Sequence, residues 1–382
     1  MSYTVSLIRC PDYEREKVYQ AVERALSLIR AEEILKPGYK VFLKINLLSA
    51  APPEKAITTH PEVVGALIRY FRRRKCEVWV GDACSTGDMG GEFASRVDPF
   101  KITGIRDVVE REGGVIRNFN TEGYKKLQAE NLPLKEIYVA KPILEADIVV
   151  SVPKMKTHEL TFITGAVKNF FGCIPARERN ILHREGDTVK FSKHVLELFR
   201  ISPCHLSLMD GIVGMEGEGP ARGNPKDIGV VLASKNAHAL DTIAALIMNF
   251  PPQDIPALKT AQEAGEIDFQ NIEVLGENLE DCILYDFEKP STYRSAWKRR
   301  MIKILAPLGV PFLNTYPAVK KELCEKCGLC KKRCPVSAIT LSPYPVVDYK
   351  KCIRCFTCIE ICPTAAFYPL RTRFTRLLQK IR

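Results

Sequence analysis

Apolar residues in the first 290 positions switch repeatedly between two periods. Residues 4–8 form a short apolar run of strand length. Between 14 and 35, Val18, Val22, Ala25, Leu26 and Ile29 recur at the spacing of one helical face. Pro37-Gly38 ends that pattern, and residues 40–47 form a second apolar strand. His60-Pro61 opens a helix running to Arg73, with Pro61 in the first turn, where its missing N–H does no harm. Residues 77–80 read as a third strand, closed by Gly81-Asp82. Short apolar runs at 148–152, 228–232 and 272–275 predict further strands, and 239–248 and 256–265 predict helices. Strands alternating with helices in this way predict an α/β domain over residues 1–285, with a mainly parallel sheet flanked by helices.

With 46% apolar and 26% charged residues, the chain of 382 has the make-up of an ordinary globular protein, which excludes a disordered or fibrous one. Its net charge of +11 is unevenly placed. Residues 291–321 carry seven Lys and Arg and no acid, and residues 371–382 carry five and no acid, so the α/β domain is close to neutral. The first segment contributes to a basic amphipathic linker over 286–320, with Met301, Ile302, Ile304, Leu305 and Leu308 after a basic start; the second is a basic tail. Both either pack back on the main domain with solvated basic faces or meet an acidic protein or an anionic membrane. No nucleic-acid motif accompanies the charge, so no nucleic-acid partner is expected. The N-terminus lacks a basic stretch followed by an apolar one, and no run of 18 apolar residues exists. The expected location is cytoplasmic, with the basic flanks suited to the inner face of a membrane.

Fourteen cysteines sharpen the picture. Cys324-x2-Cys327-x2-Cys330-x3-Cys334-Pro335 recurs 28 residues on as Cys352-x2-Cys355-x2-Cys358-x3-Cys362-Pro363. Three cysteines at this spacing converge on one cube, and the fourth reaches the other cluster. Two [4Fe–4S] clusters are therefore expected. Cys324, Cys327, Cys330 and Cys362 hold one, and Cys352, Cys355, Cys358 and Cys334 hold the other. A pair of zinc sites is the competing reading, but zinc takes four ligands in two pairs rather than two sets of four ending in Cys-Pro. Residues 321–370 resemble the bacterial-type two-cluster ferredoxins, which implies a small α+β ferredoxin-like domain. The remaining six cysteines show no framework spacing, and free thiols beside clusters fit a reducing compartment.

Candidate chemistry in the α/β domain sits where strands end, as ligand sites do in open sheets. Lys44 interrupts an apolar strand, and Gly81-Asp82 opens a loop of small residues running to Asp88. Lys154, Lys156, His158, Lys168 and Asn169 supply donors and positive charge within 16 residues, a set that suits a carboxylate or phosphate. His183 and His60 fall in similar blocks. Asp210, Glu216 and Glu218 stand among glycines, where they could bind a cation, act as acid or base, or simply solvate a turn. Cys173, in a Gly-Cys-Ile-Pro turn, is either a stabilised thiolate or a buried thiol. We take Lys154, His158, Lys168, Cys173 and Asp210 as candidate catalytic residues. Gly81, Asp82, Lys156, Asn169 and His183 are the candidates for holding a cofactor. No Gly-x-Gly-x-x-Gly follows a strand and no Walker A sequence occurs, so a nucleotide has no motif support; a flavin stays open as an organic cofactor.

The blocks LKINLL, TTHPEVV, GDACSTGD, VPKMKTHELTFITGAVKNFFGCIP, MDGIVGMEGEGPARGNP and AHALD resemble the signature segments of the domain of unknown function 362 over about residues 3–285. A C-terminal ferredoxin module is similar to a common architecture in that family. The resemblance implies an iron–sulfur protein of undefined reaction, with a fold distantly similar to the lactate-racemase superfamily; the latter is an analogy of fold alone. The expected function is an iron–sulfur oxidoreductase, or its electron-transfer subunit, passing electrons through two clusters to or from a small anionic substrate or organic cofactor. An acidic protein would be its donor or acceptor. The alternative is an electron-carrier module whose α/β domain docks a partner protein without catalysis.

Overall fold

The computed structural model describes residues 3–84, 98–183, 187–293, 315–362, 364 and 366–371. The later part of the small-residue loop, most of the basic linker and the tail beyond Arg371 lie outside these residues. Twelve strands precede the linker. They are β1 (Tyr3–Arg9), β2 (Lys40–Ile45), β3 (Glu77–Gly81), β4 (Val115–Ile116), β5 (Tyr124–Ala129), β6 (Lys135–Ala140), β7 (Ile148–Val152), β8 (Lys154–His158), β9 (Phe162–Thr164), β10 (Leu206–Glu216), β11 (Asn224–Ser234) and β12 (Ile272–Gly276). The main sheet runs in the order β12-β1-β11-β10-β7-β2-β3-β4, with β8 paired to β10 and β9 to β8. Its pairs are parallel except at β11, which lies antiparallel between β1 and β10, and at β9. A separate antiparallel hairpin joins β5 and β6.

Both faces of this sheet are covered, which explains the near-continuous apolar runs of its strands. Alternate residues feed two cores. Val41, Leu43, Ile148 and Val150 join one core with the helices Arg15–Leu28 and Pro61–Arg73. Phe42, Val149, Met209 and Leu232 join the other, with Leu198, Leu240 and Leu258 from the helices Thr188–Arg200, Ala237–Ile247 and Pro256–Glu263. The helix Pro61–Arg73 starts where the sequence places it: His60 Nδ1 accepts the Glu62 N–H at 3.2 Å and Pro61 fills the first turn.

The segment 209–220, with its glycines and carboxylates, reads in the sequence as turn-like. The structure corrects this. Leu206–Glu216 is an eleven-residue strand with a register shift between Gly211 and Val213. The predicted strand at 228–232 is the middle of the equally long β11. Lys154–His158 is likewise a strand, fully buried, whose lysines hide it from an apolar search.

The C-terminal unit contains β13 (Thr315–Val319), β14 (Ile339–Ser342), β15 (Tyr344–Val347) and β16 (Phe367–Arg371). β13 pairs antiparallel with β16, and β14 with β15. Short helices Leu329–Lys332 and Thr357–Glu360 follow the two cysteine loops. The repeat seen in the sequence is carried by the backbone. Lys326 and Arg354 are both left-handed, as are Gly328 and Phe356, and each pair is 28 residues apart. Among the described residues no helix is long and apolar enough to cross a membrane.

Candidate functional site

The carboxyl ends of β2 and β3 are tied by a buried ion pair. Lys44 Nζ lies 2.8 Å from Asp82 Oδ1 and also donates to Asn169 Oδ1 and the Ile45 carbonyl. Asp82 accepts the backbone N–H groups of Leu47 and Ala83 as well. Asn169 returns its own Nδ2 to the Lys44 carbonyl at 2.8 Å and to Ser151 Oγ. Two buried charges are tolerated because the remaining donors and acceptors are matched. Gly172 presses on this group: a Cβ there would stand 2.4 Å from Asp82 Oδ1.

Above that network lies a cavity of about 100 Å³, room for several waters or a small organic molecule. Asp82, Lys156, His158, Lys168, Asn169 and His183 line it, so six of the ten candidates outside the cluster ligands meet in one place. Lys156 Nζ rests on the Ile57 carbonyl at 2.5 Å. Lys168 Nζ lies 4.5 Å from the centre of the Phe171 ring, and His183 stacks on Phe191 at 4.3 Å. His158 Nδ1 accepts N–H groups from Leu160 at 3.0 Å and Thr161 at 3.3 Å. That assigns the ring proton to Nε2, making His158 a neutral donor. Arg179 and Arg333 add two further cations to the lining, and Asp82, its one carboxylate among the described residues, is paired with Lys44. The lining is therefore strongly cationic, and in a low-dielectric setting such a site selects an anion.

The other four candidates do not line this cavity. Lys154 and Asp210 form a second buried ion pair at 2.9 Å. Asp210 also accepts Tyr13 Oη–H at 2.9 Å and the His60 backbone N–H at 2.9 Å, and Lys154 Nζ donates to Tyr13 Oη at 2.6 Å. Tyr13 stacks on His60 with ring centres 3.5 Å apart. Burial lowers the Lys154 pKa against the pull of Asp210, and burial lowers that of His60 to about 4. This cluster fastens the N-terminal segment to β8 and β10. Cys173 is wholly buried in an apolar core; burial pushes its thiol up to about 12, so the thiolate reading has no support there. Gly81 ends β3 against the backbone of Arg117. Asp241 accepts the N–H groups of Ala166 and Val167 at 2.6 and 3.1 Å and so holds the start of the Ala166–Asn169 turn.

The cysteine loops bring candidate ligands close to one another. Burial pushes the Cys330 thiol to about 12, and Cys327, Cys362 and Cys324 are near enough to raise it further. Burial also raises Cys352, with Cys334 adding to the effect, and raises Cys358 well above its ordinary value, with Cys355 and Cys352 adding. Cys352 and Cys358 thus have neighbours from their own assigned set, although Cys330 of the other set also lies near Cys358. Cys334 Sγ accepts the Ala338 N–H at 3.2 Å, and Cys362 Sγ accepts the Ala366 N–H at the same distance. Such N–H donors stabilise coordinating thiolates. An apolar pocket formed by Pro317, Ile339, Val347 and Phe356 encloses Cys334, Cys352, Cys355 and Cys358. Among the described residues no three His, Cys, Asp or Glu side chains gather for a single ion, whereas a cube offers each thiolate a separate iron.

Sequence reasoning missed the residues that join the two units. Arg333, Thr357 and Ile361, all within one to three residues of a ligand cysteine, line the same cavity as Lys156 and His158. Arg179 and Asn180 also escaped notice, although they stand between Cys173 and His183 in a charged run. Tyr13 carried no signal at all.

Residues 41–246 match the family model described as "Domain of unknown function (DUF362)", and residues 317–363 match the model of the 4Fe-4S dicluster domain. The chain is 27% identical over 322 residues to the Thylakoid-associated protein sll1697 of Synechocystis sp., an alignment spanning 80% of this chain and 97% of that relative. A solved structure, the lactate racemase apoprotein from Thermoanaerobacterium thermosaccharolyticum, is similar with a TM-score of 0.38 and 14% identity, over 62% of this chain and 54% of the other.

Proposed function

The chain belongs to the family described as Domain of unknown function (DUF362), and we propose that it is an iron–sulfur oxidoreductase exchanging electrons with a small anion bound between its two units. One observation carries the reading: a cationic cavity at the strand ends has residues of both cysteine loops in its wall. Bound clusters supply single electrons at potentials set by their surroundings. The protein's own residues do the rest. Lys156, Lys168, Arg179 and Arg333 hold a carboxylate or phosphate by charge-assisted hydrogen bonds. His158 holds a proton on Nε2 for hydrogen bonding into the cavity. Phe171 and Leu47 exclude water from one side. An acidic protein fits as the external donor or acceptor, because Lys350 and Lys351 lie beside Cys352. The relative described as thylakoid-associated supports a peripheral contact between the basic flanks and an anionic membrane, which rising salt should weaken.

The test is anaerobic. Cluster-loaded protein is reduced with dithionite, freed of excess reductant and mixed with a panel of small carboxylates and phosphate esters. The bleached cluster absorbance should recover with at least one of them, and Lys168→Met should slow that recovery about tenfold, the equivalent of one lost ionic contact of ~1.4 kcal/mol. Recovery at the background rate with every compound, in wild type and variant alike, defeats the proposal and favours a carrier without catalysis.

A further inference from the structure

Arg222 lies between β10 and β11, far in sequence from the cysteines, yet it reaches them in space. Burial lowers its pKa, and Glu159, Cys362 and Cys358 are near enough to oppose that, Cys362 also as a hydrogen-bond partner. Its Nε and Nη2 donors are buried with no hydrogen-bond partner among the described residues. The approach is held from both sides. Gly219 N–H donates to Thr157 Oγ1 at 3.2 Å, and Glu159 N–H donates to the Gly219 carbonyl at 3.2 Å, which ties the Arg222 turn to the end of β8. Pro220 of that turn shares the cavity wall with Thr357 and Ile361. Buried guanidinium donors beside a ligand sulfur suit a sulfur-rich, electron-accepting group as their acceptor.

We propose that Arg222, supplied by the α/β domain, raises the reduction potentials of the two clusters, that of the Cys362 cluster the more, and that Glu159 opposes it. Adding one electron makes the cluster and its thiolates more negative by one charge. A fixed cation at the Cys362 sulfur stabilises that reduced form, whereas the Glu159 carboxylate opposes it. Arg222 thus couples the α/β domain to the cysteine loops. The inference rests on the cluster assignment and is independent of the anion proposed above.

The test is a redox titration of the cluster-loaded, full-length protein, with mediators and dithionite supplying the electrons and paramagnetic resonance reading each cluster. In Arg222→Gln the cluster that Cys362 ligates should become harder to reduce, its reduced-to-oxidised ratio falling about tenfold at fixed poise, or ~59 mV for a one-electron couple. Arg222→Lys should shift less, because it keeps the charge. Glu159→Gln should move the potentials the opposite way, the cluster held by Cys358 included. Potentials that stay at the wild-type values in both clusters overturn the proposal. If Arg222→Gln does not retain its clusters, Glu159→Gln decides: a potential that fails to rise refutes the assignment.

Discussion

The α/β domain and the C-terminal unit solve the same problem, burying polar and charged groups, by opposite means. In the α/β domain each buried charge at the strand ends meets a partner from the chain itself, Lys44 with Asp82 and Lys154 with Asp210. Two extensive apolar cores surround those pairs. Among the described residues, the apolar cluster at the centre of the C-terminal unit is small: Cys330, Ile339, Phe356, Cys358, Ile359 and Phe367. Two of those six are cysteines, whose thiolates would repel one another without a counter-charge. A unit of this size is marginal by burial alone. The first region is therefore a scaffold that pre-exists its ligand, and the second owes its order to iron.

Iron removal should break the comparison most visibly. Chelation under reducing conditions should abolish amide-exchange protection across 315–371 while strands β1, β2, β7 and β10 keep theirs. Protection surviving in the cysteine loops would mean that the C-terminal unit folds on its own core. The next largest effect is expected in the scaffold. Lys154→Met strands the Asp210 carboxylate in the interior and should cost ~3–5 kcal/mol in denaturant unfolding, whereas Lys154→Met with Asp210→Leu should regain much of it. A single variant as stable as wild type would show that the pair is dispensable.

The smallest effect follows from His60. It titrates near 6.5 when unfolded and at about 4 when folded, chiefly through burial. Between those values the unfolded chain binds more protons, so stability is present above pH 6.5 and is lost as pH falls towards 4. At ~1.4 kcal/mol per unit the loss is on the order of 3 kcal/mol, and His60→Gln should flatten that part of the profile. An unchanged slope would place the acid sensitivity elsewhere.

Much of the scaffold was legible because its signals are local. The helix Pro61–Arg73 announces itself through His60 and Pro61, and strands such as Ile148–Val152 through unbroken apolar runs. Strands β8 and β10 were not, since lysines and glycines within them imitate loops; only the groups that accept from Lys154 and Lys156 reveal why they can be buried. At the site, lysines, histidines and Asn169 were readable as donors, but their division was not. Lys154 and Lys156 are two residues apart on one strand face, yet one is locked to Asp210 and the other lines the cavity.

The sequence by itself determined the alternating α/β order, the paired cysteine runs of a 4Fe-4S dicluster domain and the supply of cationic donors. Each depends on spacing along the chain, which short-range geometry converts directly into structure. Tertiary structure alone decided that Arg333, Thr357 and Ile361 close the cavity of the α/β domain, that Tyr13 and His60 seal the Lys154–Asp210 pair, and that Arg222 meets Cys362. Those contacts join residues more than a hundred positions apart. Their pairing follows from how the sheet and the cysteine loops pack, a property that no local pattern encodes.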